Sequence, residues 1–121
     1  MKTLSISPNE SLQEVKDNFS ELFPNLKLEF FNHNHQSGEG NSASDLLDDL
    51  SISLQNSSNV DHEFTISVDG HKLVSTLESE FEKLGINIQL FRKSGNVWLQ
   101  TTTTDHWSIA QQNKEAEKTL A

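Results

Sequence analysis

Histidine and carboxylate are the residues here with the most ready chemistry. His33 and His35 stand two apart, and His62 and His71 lie further on, with Asp61 and Glu63 flanking His62. Such nitrogen and oxygen donors can bind zinc or copper. A metal shell also needs rigid ligands oriented by outer hydrogen bonds. His33 and His35 fall in an Asn-, Ser- and Gly-rich stretch that offers neither, and Asp61-His62-Glu63 is too common a triplet to specify a site. Metal and cofactor are both expected to be none. Asp48-Asp49 supplies two carboxylates, but adjacent side chains diverge on a helix or strand, so the pair reads as a solvated acidic patch rather than an acid–base dyad. Ser37-Gly38-Glu39-Gly40 matches neither a Walker nor a dinucleotide-binding pattern. Cysteine is absent, which excludes thiolate catalysis, disulfides and Cys-based zinc sites. No catalytic constellation stands out, and the sequence reads more as a binding protein than as an enzyme.

Two further clusters remain. Arg92-Lys93 beside Ser94-Gly95 is a compact basic spot on a well-defined element. It reads first as a charged turn that keeps a hairpin tip soluble, and it has the chemistry to hold an anionic group or an acidic peptide. Thr101 to Thr104 lead into Asp105-His106-Trp107, where Asp105 reads as a helix cap.

The charge balance narrows the partners. Nine Lys and Arg face eighteen Asp and Glu, for a formal net charge of -9. Nucleic-acid binding requires cations to neutralise phosphates, and anionic lipid attracts the same cations. Neither partner is expected. The surplus is local, because no Lys or Arg occurs between Lys27 and Lys72. No apolar run approaches the roughly 20 residues that span a bilayer, and no signal-peptide pattern opens the chain. We expect a soluble, cytoplasmic protein. The length of 121 residues suits a single domain, 1–121, and the low hydrophobic share of 33% leaves room for loops.

The elements that position these residues follow from periodicity. Leu4 and Ile6 alternate with polar neighbours as a strand. Ser11 and Glu14 have capping-box spacing, and Leu12, Val15, Phe19, Leu22 and Phe23 form a helical stripe that Pro24 ends. Leu26, Leu28 and Phe30 alternate as a second strand. The stretch of about 32–60 reads as a mobile, acidic and polar loop, in which Leu46, Leu47 and Leu50 suggest a helical turn and Ile52 and Leu54 a short strand. Phe64, Ile66 and Val68 then alternate. Val74, Leu77, Phe81 and Leu84 form a second helical stripe, closed by Gly85 as a left-handed cap. Asn87 to Thr102 reads as a β-hairpin turning at Ser94-Gly95. That turn sets Leu90 opposite Leu99, Phe91 opposite Trp98 and Gln89 opposite Gln100. Ser108 and Gln111 are spaced to open a last helix running through Ala116.

The two halves superimpose without a gap when slid by 62 positions. Leu4 meets Ile66, Leu12 meets Val74, Phe19 meets Phe81 and Leu28 meets Leu90. The expectation is an internal βαβ repeat, 3–31 and 64–92. Two such units suit an α+β, ferredoxin-like β-α-β-β-α-β open-faced sandwich with an added C-terminal hairpin strand and short helix.

Strand alternation then sorts the side chains. Leu4, Ile6, Leu26, Leu28, Phe30, Ile66, Val68, Ile88, Leu90, Val97 and Leu99 are expected to face the helices. Lys27, Glu29, Phe31, Gln89, Phe91, Trp98, Gln100 and Thr102 face away. Large aromatics on an otherwise polar face can mark a contact surface, unless the C-terminal segment with Trp107 folds back over it. The candidate surface is Phe31, Phe91, Arg92, Lys93, Trp98, Gln100 and Trp107. It points to a non-catalytic interaction or regulatory domain with a protein partner or itself, as a homodimer. A small-molecule binding domain is the alternative, and a metal-assisted enzyme the less favoured one.

Overall fold

The computed structural model describes residues 2–31, 46–47, 49–102 and 104–120. Local signals open and close the helices. In α1 (Leu12–Leu22), the Ser11 side chain accepts from the Glu14 amide at 3.1 Å, which satisfies one of the amides that a helix start leaves open. Leu12, Val15 and Phe19 bury its stripe. The helix α3 (Val74–Lys83) ends on Gly85 at φ 83°. The Gly85 amide reaches the Glu82 carbonyl at 2.9 Å, and the Ile86 amide reaches the Phe81 carbonyl at 3.0 Å. That pair of bonds is the Schellman motif. In α4 (Ile109–Leu120), Ser108 and Gln111 exchange both capping bonds, at 2.9 and 3.1 Å.

The strands are β1 (Thr3–Ile6), β2 (Leu26–Phe31), β3 (Phe64–Ser67), β4 (Asn87–Ser94) and β5 (Val97–Gln100). The fold is α+β, with every described pairing antiparallel, but the strands divide into two sheets rather than one. β1 pairs with β3, and β2 pairs with β4, which pairs with β5. The ferredoxin-like order would join β2 to β3 and β4 to β1. Alternation dictates which face a strand buries, not which strand lies beside it. One apolar cluster still draws on both sheets, with Leu4, Ile6 and Ile66 from one and Leu26, Leu28, Ile88 and Leu90 from the other. Phe19 and Phe81 of the helices are fully buried in it.

At the centre of each ladder, two positions 62 apart in the sequence become partners in space. Leu4 pairs with Ile66 and Leu28 pairs with Leu90. The relation extends into a stretch that reads as loop. Leu12 and Gln13 donate to the carbonyls of Ile52 and Leu50 at 3.2 and 2.9 Å, while Leu54 and Gln55 donate back to Glu10 and Pro8 at 2.8 and 3.0 Å. In the second half, Val74 and Ser75 donate to Trp107 and Asp105 at 2.9 and 2.7 Å, while Ile109 and Ala110 donate back to Lys72 and Gly70 at 2.9 and 3.0 Å. α1 and α3 thus each have their first turn clamped by a later segment. In α3, whose N-cap Leu73 has no capping side chain, backbone carbonyls do the capping.

That clamp corrects the reading of residues 46–60. Leu54 opens a short helix, α2 (Leu54–Ser57), rather than a strand, and is fully buried. Leu46 bridges Phe31 in extended conformation instead of forming a helical turn. The remainder of the expected loop, 32–45 and residue 48, lies outside the described residues. The β4–β5 turn is corrected as well. Gly95, at φ 60°, takes the first loop position, Ser94 pairs with Val97, and no described non-glycine residue has positive φ. A two-residue loop with positive φ only at its first position favours glycine there, so the loop is Gly95-Asn96. Pairing therefore moves by two residues. Lys93 faces Trp98, Arg92 faces Leu99 and Phe91 faces Gln100. Val97 and Leu99, expected in the core, are 56% and 41% exposed.

Candidate functional site

The turn and the alternation of β4 decide where the candidate residues go. A shift of two preserves faces, so Phe91, Lys93, Trp98 and Gln100 share the far side of the β2-β4-β5 sheet with Lys27, Glu29 and Phe31. Lys27 pairs with Phe91 across the sheet, and Phe91 with Gln100. The Lys27 ammonium stands 4.8 Å from the Trp98 ring centroid and 5.5 Å from that of Phe91. Both distances suit attraction between a cation and an aromatic quadrupole. Glu29 neutralises the cluster from one side. It pairs with Lys16 of α1 and lies 3.7 Å from Lys27. Lys27, Glu29, Phe31, Leu46, Phe91 and Gln100 line a hollow of about 240 Å³ on this face. Phe91 and Trp98 are half-buried. Phe31, expected to be open, is 4% exposed. Gln89, beyond the hollow, is fully buried and donates to the Glu78 carboxylate of α3 at 3.2 Å, which also accepts from the Leu90 amide at 3.2 Å.

Arg92 and Trp107 belong to the other side. Arg92 follows Phe91 by one residue and so points to the near face, where the helices lie. Its Nη1 donates to Gln112 Oε1 of α4 at 2.9 Å, and its guanidinium carbon sits 5.7 Å from the Trp107 ring centroid. Gln112 is fully buried and donates to the Thr104 carbonyl and hydroxyl, each at 2.8 Å. The segment carrying Trp107 therefore docks on the near face and leaves the ring away from Phe91 and Trp98. The seven candidate residues form two surfaces, not one. Alternation alone separates Arg92 from Phe91. The role of Lys27 is legible from its place opposite the aromatics, whereas that of Gln112 depends on how α4 docks, which no local pattern encodes.

The metal candidates stay scattered. His33 and His35 lie outside the described residues. His62 Nδ1 is 2.7 Å from Asp61 Oδ1, both side chains well exposed, and that hydrogen bond, with the imidazole charge, lowers the Asp61 pKa. Asp49 is lowered by the Ser51 hydroxyl and amide, which both bond its carboxylate. Among the described residues, no group of three or more His, Asp or Glu side chains could hold a metal ion. Glu10 is the one carboxyl raised above its usual 4.5 among them, chiefly by burial and then by neighbouring Glu14. No described helix is long and apolar enough to cross a membrane. No protein-family model matches the chain, and comparison with curated proteins and with solved structures yields no match.

Proposed function

We propose that the chain is a small non-catalytic interaction domain whose contact surface is the far face of the β2-β4-β5 sheet. One observation carries this reading: Phe91 and Trp98 flank the Lys27 ammonium over a hollow on a face that α4 does not cover. Aromatic rings around a cation give a partner apolar area and an orienting charge together, the composition enriched at interface centres. The partner is a protein, either another chain or a second copy, rather than nucleic acid or membrane. The setting is the cytoplasm, in keeping with an acidic, cysteine-free composition. Light scattering across a wide concentration range, on the wild type and on Trp98→Ala, reads out the homodimeric form. Affinity capture from native extract with the same pair reads out another chain. Loss of association in Trp98→Ala supports the surface. Association that survives both Trp98→Ala and Phe91→Ala removes it.

The hollow favours a second reading, a small-molecule site. Its volume of about 240 Å³ falls below the ordinary range of ligand pockets and suits only a small molecule, and aromatic walls with one cation and one carboxylate would orient a small polar ligand. Thermal shift against a metabolite panel separates the two readings.

A further inference from the structure

We propose that the outer edge of β5 takes an extended, acidic segment of a partner protein as an added strand. This site uses the backbone edge of β5 and its near-side side chains, whereas the far-face surface is made by the side chains of Lys27, Phe91 and Trp98; the proposal does not depend on that surface.

The edge is built to be paired. Among the described residues, β5 has a neighbour only on its β4 side. The Thr101 amide donates to the Leu90 carbonyl at 3.1 Å. Hydrogen-bonded and non-bonded pairs alternate in an antiparallel ladder, so Leu99 and Val97 direct their backbone groups to β4, and Trp98 directs its N–H and C=O outward. Native edges are commonly blunted by charge, proline or a bulge. Val97-Trp98-Leu99 has none of these. On the near side, Val97 and Leu99 are also the most exposed large apolar pair on one strand among the described residues.

Charge selects the occupant. Arg92 lies directly across from Leu99. Gln112 and Trp107 hold its guanidinium in place, and no carboxylate pairs with it among the described residues. In a chain of net charge -9, no Asp or Glu occurs between Glu82 and Asp105. The edge thus offers two apolar side chains beside an uncompensated cation. Its complement is a strand with apolar residues against Val97 and Leu99 and a carboxylate in reach of Arg92, whose planar fork suits bidentate pairing. An added strand lies roughly 10 Å from β4, two strand spacings, and an Arg and a Glu side chain together span that gap. A second copy fits less well. Pairing β5 with β5 brings two Arg92 hairpins together with no intervening acid, and like charges oppose association. The recognition mode is strand addition.

The test titrates the isotope-labelled full chain with a short capped peptide alternating Glu and Val, and with its counterpart carrying Lys for Glu, while amide resonances are followed by NMR. The expected result is saturable shifts at Val97, Trp98 and Leu99, and slowed exchange of the Trp98 amide, with the acidic peptide only. Arg92→Gln is expected to weaken binding roughly tenfold. Leu99→Glu, at an exposed position where a folding defect is not expected, weakens it as well. Equal response to both peptides, shifts confined to the far face, or no response at millimolar acidic peptide overturns the proposal. So does a concentration-dependent dimer abolished by Leu99→Glu, which would assign the edge to a second copy.

Discussion

Replacing Leu54 with alanine tests whether the segment after residue 46 belongs to the folded core. Leu54 has no exposed surface, joins the central apolar cluster and anchors a backbone bond to Glu10 at 2.8 Å. Truncating a fully buried leucine loses its transfer free energy and leaves a cavity, together about 2–5 kcal/mol. For a chain of this size, a central value of about 3 kcal/mol lowers the melting temperature by on the order of 10 °C. Ile109→Ala, at the matching place in the second clamp and equally buried, is expected to lose a similar amount. Ile52→Ala, at 38% exposure, should lose less than about 1 kcal/mol. Urea titration of the three variants, with unchanged m-values, provides the measurement. If Leu54→Ala falls as close to wild type as Ile52→Ala, the clamp on α1 contributes nothing and the correspondence between the two halves is only geometric.

Gly85→Ala places a side chain at φ 83° and sets its Cβ 3.4 Å from Asn59 Nδ2, so a loss of roughly 1–2 kcal/mol in urea denaturation is expected. Gln112→Leu removes the acceptor of the part-buried Arg92 Nη1 and leaves the Thr104 carbonyl with the Trp107 amide as its donor; a loss of about 1–3 kcal/mol is expected, with a change in Trp107 fluorescence measured in a Trp98→Phe background. Glu10 has a folded pKa above its usual 4.5, so the folded state holds the proton more tightly and stability declines as pH rises from 4.5 through the folded value. Glu10→Gln should flatten that decline and be at least as stable as wild type at neutral pH, read from melting temperature against pH. Lys27→Met retains the side-chain stem and removes the charge between Phe91 and Trp98, so stability should change by less than about 1 kcal/mol while Trp98 emission shifts in a Trp107→Phe background.

Local chemistry was legible in the sequence and neighbourhood was not. The caps at Ser11, Ser108 and Gly85 are read from single residues, because each serves amides or carbonyls within a few positions of itself. The stripes of α1 and α3 follow from spacing alone. The sequence alone sets the hairpin turn one residue early because Ser94-Gly95 and Gly95-Asn96 both carry turn signals, and only the positive φ at the first loop position decides between them. That one step moves Leu99 from Leu90 to Arg92 and takes two apolar side chains out of the core. The pairing of β2 with β4 had no local signal, since alternation specifies faces and not neighbours. In 49–57 the sequence suggests only a helical turn and a short strand within a loop, because Leu50, Ile52 and Leu54 are embedded among serines and acids, while what holds them is backbone hydrogen bonding to a distant helix start. For the candidate surface, alternation already placed Arg92 opposite Phe91; the position of Trp107 depended on the docking of α4.

The register that joins Leu4 to Ile66 and Leu28 to Leu90 has a consequence for how the chain is made. Among the described residues, the ladders of β1 and β2 are made with β3 and β4, and in the first half only Leu46 and Leu47 meet the end of β2, so these ladders close only once β3 and β4 follow. Contacts so distant in sequence close slowly. They also let halves from separate molecules stand in for one another: two fragments cut near residue 60 should reassemble on mixing, and a crowded solution of refolding chains should trap exchanged dimers.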